Sequence, residues 1–289
     1  MKRTIFEIIF TGNELINGKI LNTNSKWLAK RITGIGGKIT RMIIVPDELE
    51  IISGSIKEAL TRKPDFIITS GGLGSTYDDM TYQAISDALG IPLKLNSEAL
   101  KYIKEKYEFA QKAGIIKDGS LNKYRKKMAY VPENASILYN PIGAAPGALI
   151  KYQNTQIICL PGVPAELKSI FRTAVINIIR KNIGDIRFVE KSVYSTNFIE
   201  SEITHVVDRV MNEINKELND KTKISLTTKS PKIWIKTLVK APYKKIIIEY
   251  HISCLGPSKL ASQQVERAIN LLKKYIKAEG GKCYKADEI

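Results

Sequence analysis

The chain has 289 residues, 44% of them hydrophobic and 26% charged, and 45 Lys and Arg against 29 Asp and Glu leave a net charge of +16. This is the composition of a globular protein long enough for two domains, which excludes disordered and fibrous classes, and no apolar run reaches the ~20 residues of a membrane span. Three scattered cysteines (Cys159, Cys254, Cys283) without a C-x-x-C pair argue against a zinc or disulfide framework and for a reducing cytoplasm, while the basic excess suits anionic ligands.

Residues 5–10 read as a strand, in which Glu7 interrupts the apolar run that follows Met1-Lys2-Arg3, so no signal peptide is expected. Asn22, Thr23 and Asn24 offer caps for a helix over 25–32 with Trp27, Leu28 and Ile32 on one face, and Gly34, Gly36 and Gly37 break it. A strand over 39–45 follows, then a helix capped by Asp47 and running to about Arg62, then a strand over 66–69. Asp78 or Asp79 opens the next helix, which Gly90 ends. This βαβαβα order predicts a parallel sheet with helices on both faces.

Residues 97–130 are charged and poor in β-branched side chains, and read as a helical pair inserted over the site. Most lysines there, such as Lys101, Lys104, Lys106 and Lys112, fit a solvated helix face. Strands are expected over 136–138, 148–152 and 156–160, the last two joined as a hairpin, then a long helix over 165–181. The pattern resets at Gly184-Asp185, which sets the predicted domains at 1–184 and 185–289. The second reads as a small α+β domain, with strands over 188–195, 224–228, 233–239 and 246–253 and helices over 200–218 and 259–278.

The segment 65–81, DFIITSGGLGSTYDDMT, carries the chemistry. A buried strand ends in Gly71-Gly72-Leu73-Gly74, where glycines let the backbone approach a ligand and its N–H groups face a phosphate. Ser75 and Thr76 add hydroxyls. Asp78 and Asp79 beside a phosphate would repel it unless a cation or a proton lies between, which points to a divalent metal with oxygen ligands. Taken alone, the segment reads equally well as an ordinary turn with a helix-capping aspartate.

Further blocks accompany it: Thr11-Gly12-Asn13-Glu14 and Asn22-Thr23-Asn24 after the first strand, Pro141-x-Gly143-x-x-Pro146-Gly147, and Leu160-Pro161-Gly162-Val163-Pro164-x-Glu166. In this order the set resembles the CinA family, and within it the N-terminal MoaB/Mog-like, molybdopterin-binding portion. The resemblance implies a three-layer α/β/α domain with a mostly parallel sheet and a site at the carboxyl ends of its strands. It further implies a homodimer in the cytoplasm and metal-dependent hydrolysis of ADP-ribose to AMP and ribose 5-phosphate. The wider superfamily binds molybdopterin and transfers an adenylyl group to it, which keeps molybdopterin as a possible cofactor and adenylyl transfer or binding alone as an alternative function. Ser75 stands where that family usually has proline. Because the sequence runs only to Ile289, the nicotinamide mononucleotide deamidase domain found in many of these proteins is expected to be absent.

The candidate site follows from these blocks. Asp79, supported by Asp78, is the first choice for a Mg²⁺, Mn²⁺ or Co²⁺ ion, and Glu14 is a second metal contact or a general base. Thr11, Gly12, Asn13 and Asn24 shape the ligand wall. Gly71, Gly72, Leu73, Gly74, Ser75 and Thr76 cradle phosphate, and Pro161, Gly162 and Val163 supply a second anion contact. Lys123, Arg125 and Lys126 lie in the insertion and can close over a diphosphate, though a solvated face explains them as well. The partner is a nucleotide or a pterin phosphate. Nucleic acid is disfavoured, because the second domain lacks the G-x-x-G loop of a KH clamp. With only His205 and His251, a histidine metal site is not expected. Trp27 and Trp234 read as core or interface residues.

Overall fold

A computed structural model describes residues 3–196, 198–222, 232–240 and 246–284; the strand expected over 224–228 lies outside the described residues. β1 (Ile5–Thr11) leads through the single turn α1 (Asn13–Ile16) to α2 (Thr23–Gly34). Then come β2 (Lys38–Val45), α3 (Leu49–Thr61), β3 (Phe66–Ser70) and α4 (Thr81–Leu89). The inserted region holds β4 (Leu93–Leu95), α5 (Ser97–Lys112), α6 (Lys123–Lys127) and β5 (Tyr130–Pro132). The expected helical pair is thus one full helix and one turn, closed at its base by an antiparallel β4–β5 pair that the charged composition concealed. β6 (Ser136–Leu138) precedes the hairpin of β7 (Gly147–Tyr152) and β8 (Thr155–Leu160). α7 (Pro164–Ile170) continues through a π-helical turn (Phe171–Val175) into α8 (Ile176–Ile183).

The chain divides into two compact units. The first, Arg3–Ile32 with Gly37–Asn182, carries a six-stranded sheet in the order β2-β1-β3-β8-β7-β6. The four strands β2, β1, β3 and β8 are parallel, while β7 and β6 reverse. Alternate residues of each central strand enter opposite layers. Ile9, Ile67 and Ile157 join Ile52, Ile56 and Ile85 from α3 and α4 in one core. On the opposite face Phe6 stacks on Phe66 at 4.9 Å, and the Trp27 ring of α2 meets Phe171 edge-on at 5.2 Å, so Trp27 packs as expected. Each fully buried Ile or Phe contributes ~1.5–3 kcal/mol. The result is an α/β/α sandwich with a mostly parallel sheet.

The second unit gathers Thr33–Gly36 with the described residues of Ile183–Ile289. Its elements are β9 (Ile186–Thr196), α9 (Glu200–Thr222), β10 (Lys232–Lys240), β11 (Ile247–Pro257), α10 (Ser258–Ala278) and β12 (Lys282–Tyr284). The sheet is antiparallel, in the order β10-β11-β9-β12. This βαββαβ succession is the ferredoxin-like arrangement. Ile203, Val206, Val210 and Ile214 of α9 pack with Ile235, Tyr250 and Ile252 on one face of the sheet. Trp234 does not join that core. It stays 57% exposed, because its position alternates with the buried Ile233 and Ile235. Among the described residues, no helix is long and apolar enough to cross a membrane.

Candidate functional site

The parallel strands β1, β3 and β8 end side by side, and their loops meet at one edge. Registers pair Phe10 with Ser70, and Ser70 with Leu160. The order β2-β1-β3 reverses direction between β1 and β3, the switch point at which open α/β sheets part their loops and bind ligands. Here the loops are also tied together. Gly71 N–H donates to Leu160 O at 3.0 Å, and Gly12 N–H to Val45 O at 3.2 Å. At Gly71 φ is +116°, and a Cβ would lie 2.5 Å from Thr11 O, so no side chain fits. Thr81, fully buried at the start of α4, clamps the loop: its hydroxyl donates to Gly71 O at 2.8 Å and its N–H to Gly72 O at 3.1 Å.

These loops enclose a cleft of about 470 Å³. Five carboxylates line it, those of Glu14, Asp47, Asp78, Asp79 and Glu166, and among the described residues its lining holds no Lys, Arg or His. In a chain of net charge +16 this concentration of negative charge is local and specific. Asp78 and Asp79 both accept from the Thr76 hydroxyl, Asp79 at 2.5 Å, and Asp79 also accepts from Thr76 N–H at 2.9 Å. A hydroxyl has one proton and satisfies one carboxylate at a time. The two carboxylates therefore share one donor, with less than full compensation of their charge. Burial pushes the Asp47 carboxyl above its usual range. The Asn13 N–H at 2.9 Å opposes this, and the charges of Glu14, Asp78 and Asp79 reinforce it. Among the described residues, no three His, Cys, Asp or Glu side chains are grouped to hold a metal ion by themselves.

Glycines leave room for the carboxylates. A Cβ at Gly74 would meet Asp79 Oδ2 at 2.6 Å, and one at Gly143 would meet Glu166 Oε2 at 2.5 Å. Glu166 is held by Asn140, itself fully buried, whose amide donates to Glu166 at 2.7 Å and to Ala145 O at 2.9 Å. Tyr102 of α5 donates its hydroxyl to Asn140 O, and burial pushes that phenol up to about 12. The insertion thereby braces the cleft wall from behind.

Of the residues expected at the site, Thr11, Gly12, Glu14, Gly71, Gly72, Leu73, Gly74, Ser75, Thr76, Asp78, Asp79, Pro161, Gly162 and Val163 all line this cleft. The Leu73 side chain is 3% exposed and belongs to the core cluster, so only its backbone serves the loop. Asn13 contributes its N–H to Asp47 and does not line the cleft. Asn24 lines a neighbouring cavity. Two capping expectations change and one holds. Neither Asp78 nor Asp79 caps α4, whose N-cap is Met80 without a side-chain bond, because both carboxylates turn back to Thr76. Asp47 does not cap α3 either; Glu48 holds that position and Asp47 faces the cleft. Asn22 does cap α2, accepting from Ser25 N–H at 3.0 Å.

Sequence reasoning missed Asp47 and Glu166 as members of the site and Lys127 as a support of its loop. Lys127 of α6 donates to the backbone carbonyls of Thr76 and Tyr77, fastening the aspartate loop to the insertion. The basic residues singled out instead lie elsewhere. Arg125 donates to Asp118 O and Ser120 O and lies over Tyr107, and Lys123 lies over Tyr124. The histidines pair outside the cleft, His205 with Glu279 and His251 with Glu190. For Glu166 a signal existed in the Pro161-Gly162-Val163-Pro164-x-Glu166 block, and for Asp47 in its place just beyond β2.

Comparison with known proteins agrees with this architecture. The family described as "Probable molybdopterin binding domain" matches residues 7–181. A protein of Pyrococcus furiosus is 41% identical over 217 residues, covering 75% of this chain and 84% of its own length. One from Saccharolobus islandicus is 35% identical over 277 residues, covering 95% of both. Among solved structures, a CinA protein of Thermoplasma acidophilum superimposes with a TM-score of 0.54 at 32% identity, over 60% of this chain and 98% of that one.

Proposed function

As the chain belongs to the molybdopterin-binding domain family and is CinA-like in its first unit, we propose that it is a metal-dependent pyrophosphatase acting on a nucleoside diphosphate-sugar, cleaving ADP-ribose to AMP and ribose 5-phosphate. One observation carries this reading: a phosphate-shaped glycine loop faces five carboxylates with no cationic side chain among the described lining residues. A diphosphate entering alone would be repelled, so the cleft suits an anion that arrives with a divalent cation. Asp78 and Asp79 would hold that ion, with Glu14 and Asp47 within electrostatic reach. Among the described residues protein carboxylates alone are not grouped to enclose an ion, so ligand and solvent oxygens would have to complete its shell. Once bound, such a cation neutralises charge on the phosphates and leaving group.

The chain's own groups have separate tasks in this scheme. The Gly72–Gly74 amides would orient the phosphates, since the Gly71 N–H is already bonded to Leu160 O, and the Gly162 segment bounds them from the side of β8. Glu14 of α1 and Glu166 of α7 are the carboxylates available to take a proton from an attacking water. The second reading is a molybdopterin or nucleotide binder, or an adenylyltransferase, in which an acceptor phosphate replaces the water. The family's description supports the molybdopterin-binding form of this reading.

The deciding experiment measures AMP release from ADP-ribose with and without Mg²⁺, Mn²⁺ or Co²⁺, beside an Asp79→Ala control. Metal-dependent AMP that disappears in the variant is the expected result. No AMP with any of the three ions would reject hydrolysis and leave the binding or transfer reading.

A further inference from the structure

The five carboxylates of the cleft fall into two groups. Glu14, Asp47, Asp78 and Asp79 stand in the segments that follow β1, β2 and β3, and Glu166 alone follows β8, which lies beyond β3 in the sheet order. Their electrostatics divide in the same way. Beyond the effect of burial, the charges that raise the Asp47 carboxyl are those of Glu14, Asp78 and Asp79. The charge of Glu166 registers at Tyr102, where it adds to the larger effect of burial.

Glu166 is also held differently. It is the third residue of α7, a position from which a glutamate commonly turns back to the N-cap N–H. Here it accepts from Asn140 Nδ2 at 2.7 Å, its one hydrogen bond among the described residues, which leaves Oε1 unengaged. Asn140 is fully buried and its amide is fully used. Nδ2 also donates to Ala145 O at 2.9 Å, while Oδ1 accepts from Gly143 N–H at 2.9 Å and from Ile142 N–H at 3.2 Å. Four bonds leave that amide a single orientation. The same turn is fastened to α5, since Tyr102 donates its hydroxyl to Asn140 O and Lys106 donates to Pro141 O at 2.8 Å. A Cβ at Gly143 would lie 2.5 Å from either Glu166 oxygen, so the turn carries no side chain where the carboxylate lies. Among the described residues Glu166 is thus a half-buried carboxylate with no cationic partner, fixed by a buried neutral donor. That is how a reacting group is preorganised, not how a structural ion pair is built.

We propose that Glu166 is the general base of the cleft, that Asn140 is the positioning residue that sets it, and that Glu14 belongs with Asp47, Asp78 and Asp79 at the cation. This rests on the hydrolytic reading proposed above. Glu166 takes one proton of the attacking water while the water oxygen bonds to phosphorus. The anhydride P–O bond breaks with its electron pair on the departing phosphate, and the proton then passes from Glu166 to solvent.

The test combines AMP release from ADP-ribose with binding of Mn²⁺ alone, in Glu166→Gln, in Asn140→Ser and in the double variant. Glu166→Gln should lower kcat by at least about 100-fold, the low end for a general base. Its KM and its Mn²⁺ affinity should stay within about twofold of wild type, since ground-state binding is untouched. Formate should restore part of the lost rate in Glu166→Ala by supplying the missing carboxylate. Asn140→Ser should lose about 10–100-fold in kcat, the range for a supporting residue. The double variant should be no slower than Glu166→Gln, because residues that act as a unit do not lose rate independently. Where Asn140→Ser does not fold, Tyr102→Phe, which withdraws only the hydroxyl on Asn140 O, takes its place in the cycle. Losses that multiply in the double variant would overturn the positioning role. A Glu166→Gln variant with near wild-type kcat, or one whose Mn²⁺ affinity falls by about tenfold, would overturn the base and leave metal-dependent hydrolysis standing. A wild type that releases no AMP with Mg²⁺, Mn²⁺ or Co²⁺ removes the hydrolytic reading and the base together.

Discussion

Carboxylates occur in two regions of the first unit under opposite rules. Glu7, in the middle of β1, is 3% exposed and meets Arg62 through two parallel bonds of 2.7 Å, with Glu58 adding a further bond to the same guanidinium at 2.6 Å. These carboxylates raise the Arg62 pKa, with the Glu7 hydrogen bond as the largest cause. Just beyond the end of the same strand, in α1, Glu14 enters a cleft where five carboxylates have no basic side chain among the described lining residues. The comparison separates charge that holds a fold from charge held ready for a ligand. Glu7 comes with its counter-ion built in, whereas the cleft carboxylates have none among the described lining residues and, on the proposed function, would be neutralised by what binds.

The largest effect is expected where the built-in counter-ion is removed. Arg62→Met should cost about 3–5 kcal/mol in urea unfolding, because it strands a buried charge. Adding Glu7→Leu should recover most of that loss. A single-variant cost near the ~0–1 kcal/mol of a surface bridge would break the comparison.

Asp79→Ala should behave in the opposite way. Turnover should fall by more than the ~10–100-fold typical of a supporting residue, with no loss in unfolding midpoint. An inactive variant that is also unstable would place Asp79 with Glu7 as a structural group. Lys127→Met sharpens the boundary between the two kinds. The aspartate loop would lose its tie to α6, and we expect the metal concentration for half-maximal turnover to rise by about tenfold, within the range for supporting residues. Lys127→Arg should keep most of the tie. An unchanged metal requirement in Lys127→Met would show that the loop holds its shape unaided.

The smallest effect concerns Asp47. Its carboxyl is raised by burial and by its acidic neighbours, so the folded state binds that proton more tightly than the unfolded state does. Its contribution to stability therefore falls as pH rises from the ordinary Asp range, near 3.8, through the raised folded value, and stays low at neutral pH. Asp47→Asn keeps an acceptor for Asn13 N–H and removes the repulsion. In the metal-free protein at pH 7 it should raise Tm by no more than about 2–4 °C, the shift for about 1 kcal/mol in a domain of this size. That gain should shrink toward pH 4 as Asp47 protonates. A lower Tm at pH 7 would mean that repulsion in the cleft is negligible.

Much of this was legible along the chain. Apolar runs punctuated by glycine and followed by paired aspartates predicted strand, loop and helix in order, because backbone demands of that kind are local. Parallel strands then bring loops after β1, β3 and β8 to one edge, so Thr11, Gly71 and Gly162 were found together. The caps were misjudged because a carboxylate before a helix has two possible uses. Asp78 and Asp79 turned to Thr76, and Asp47 to Asn13, once those groups lay within reach. Asp47, Lys127 and Glu166 come from distant segments, and only the strand order β2-β1-β3-β8 and the placement of α6 and α7 make them neighbours. What the sequence determined by itself was the set of elements and the chemistry of each loop, which depend on local backbone preference and side-chain type. Which charges are compensated and which are left free was decided by the tertiary structure, because pairing depends on distances of a few ångströms between residues far apart in the chain.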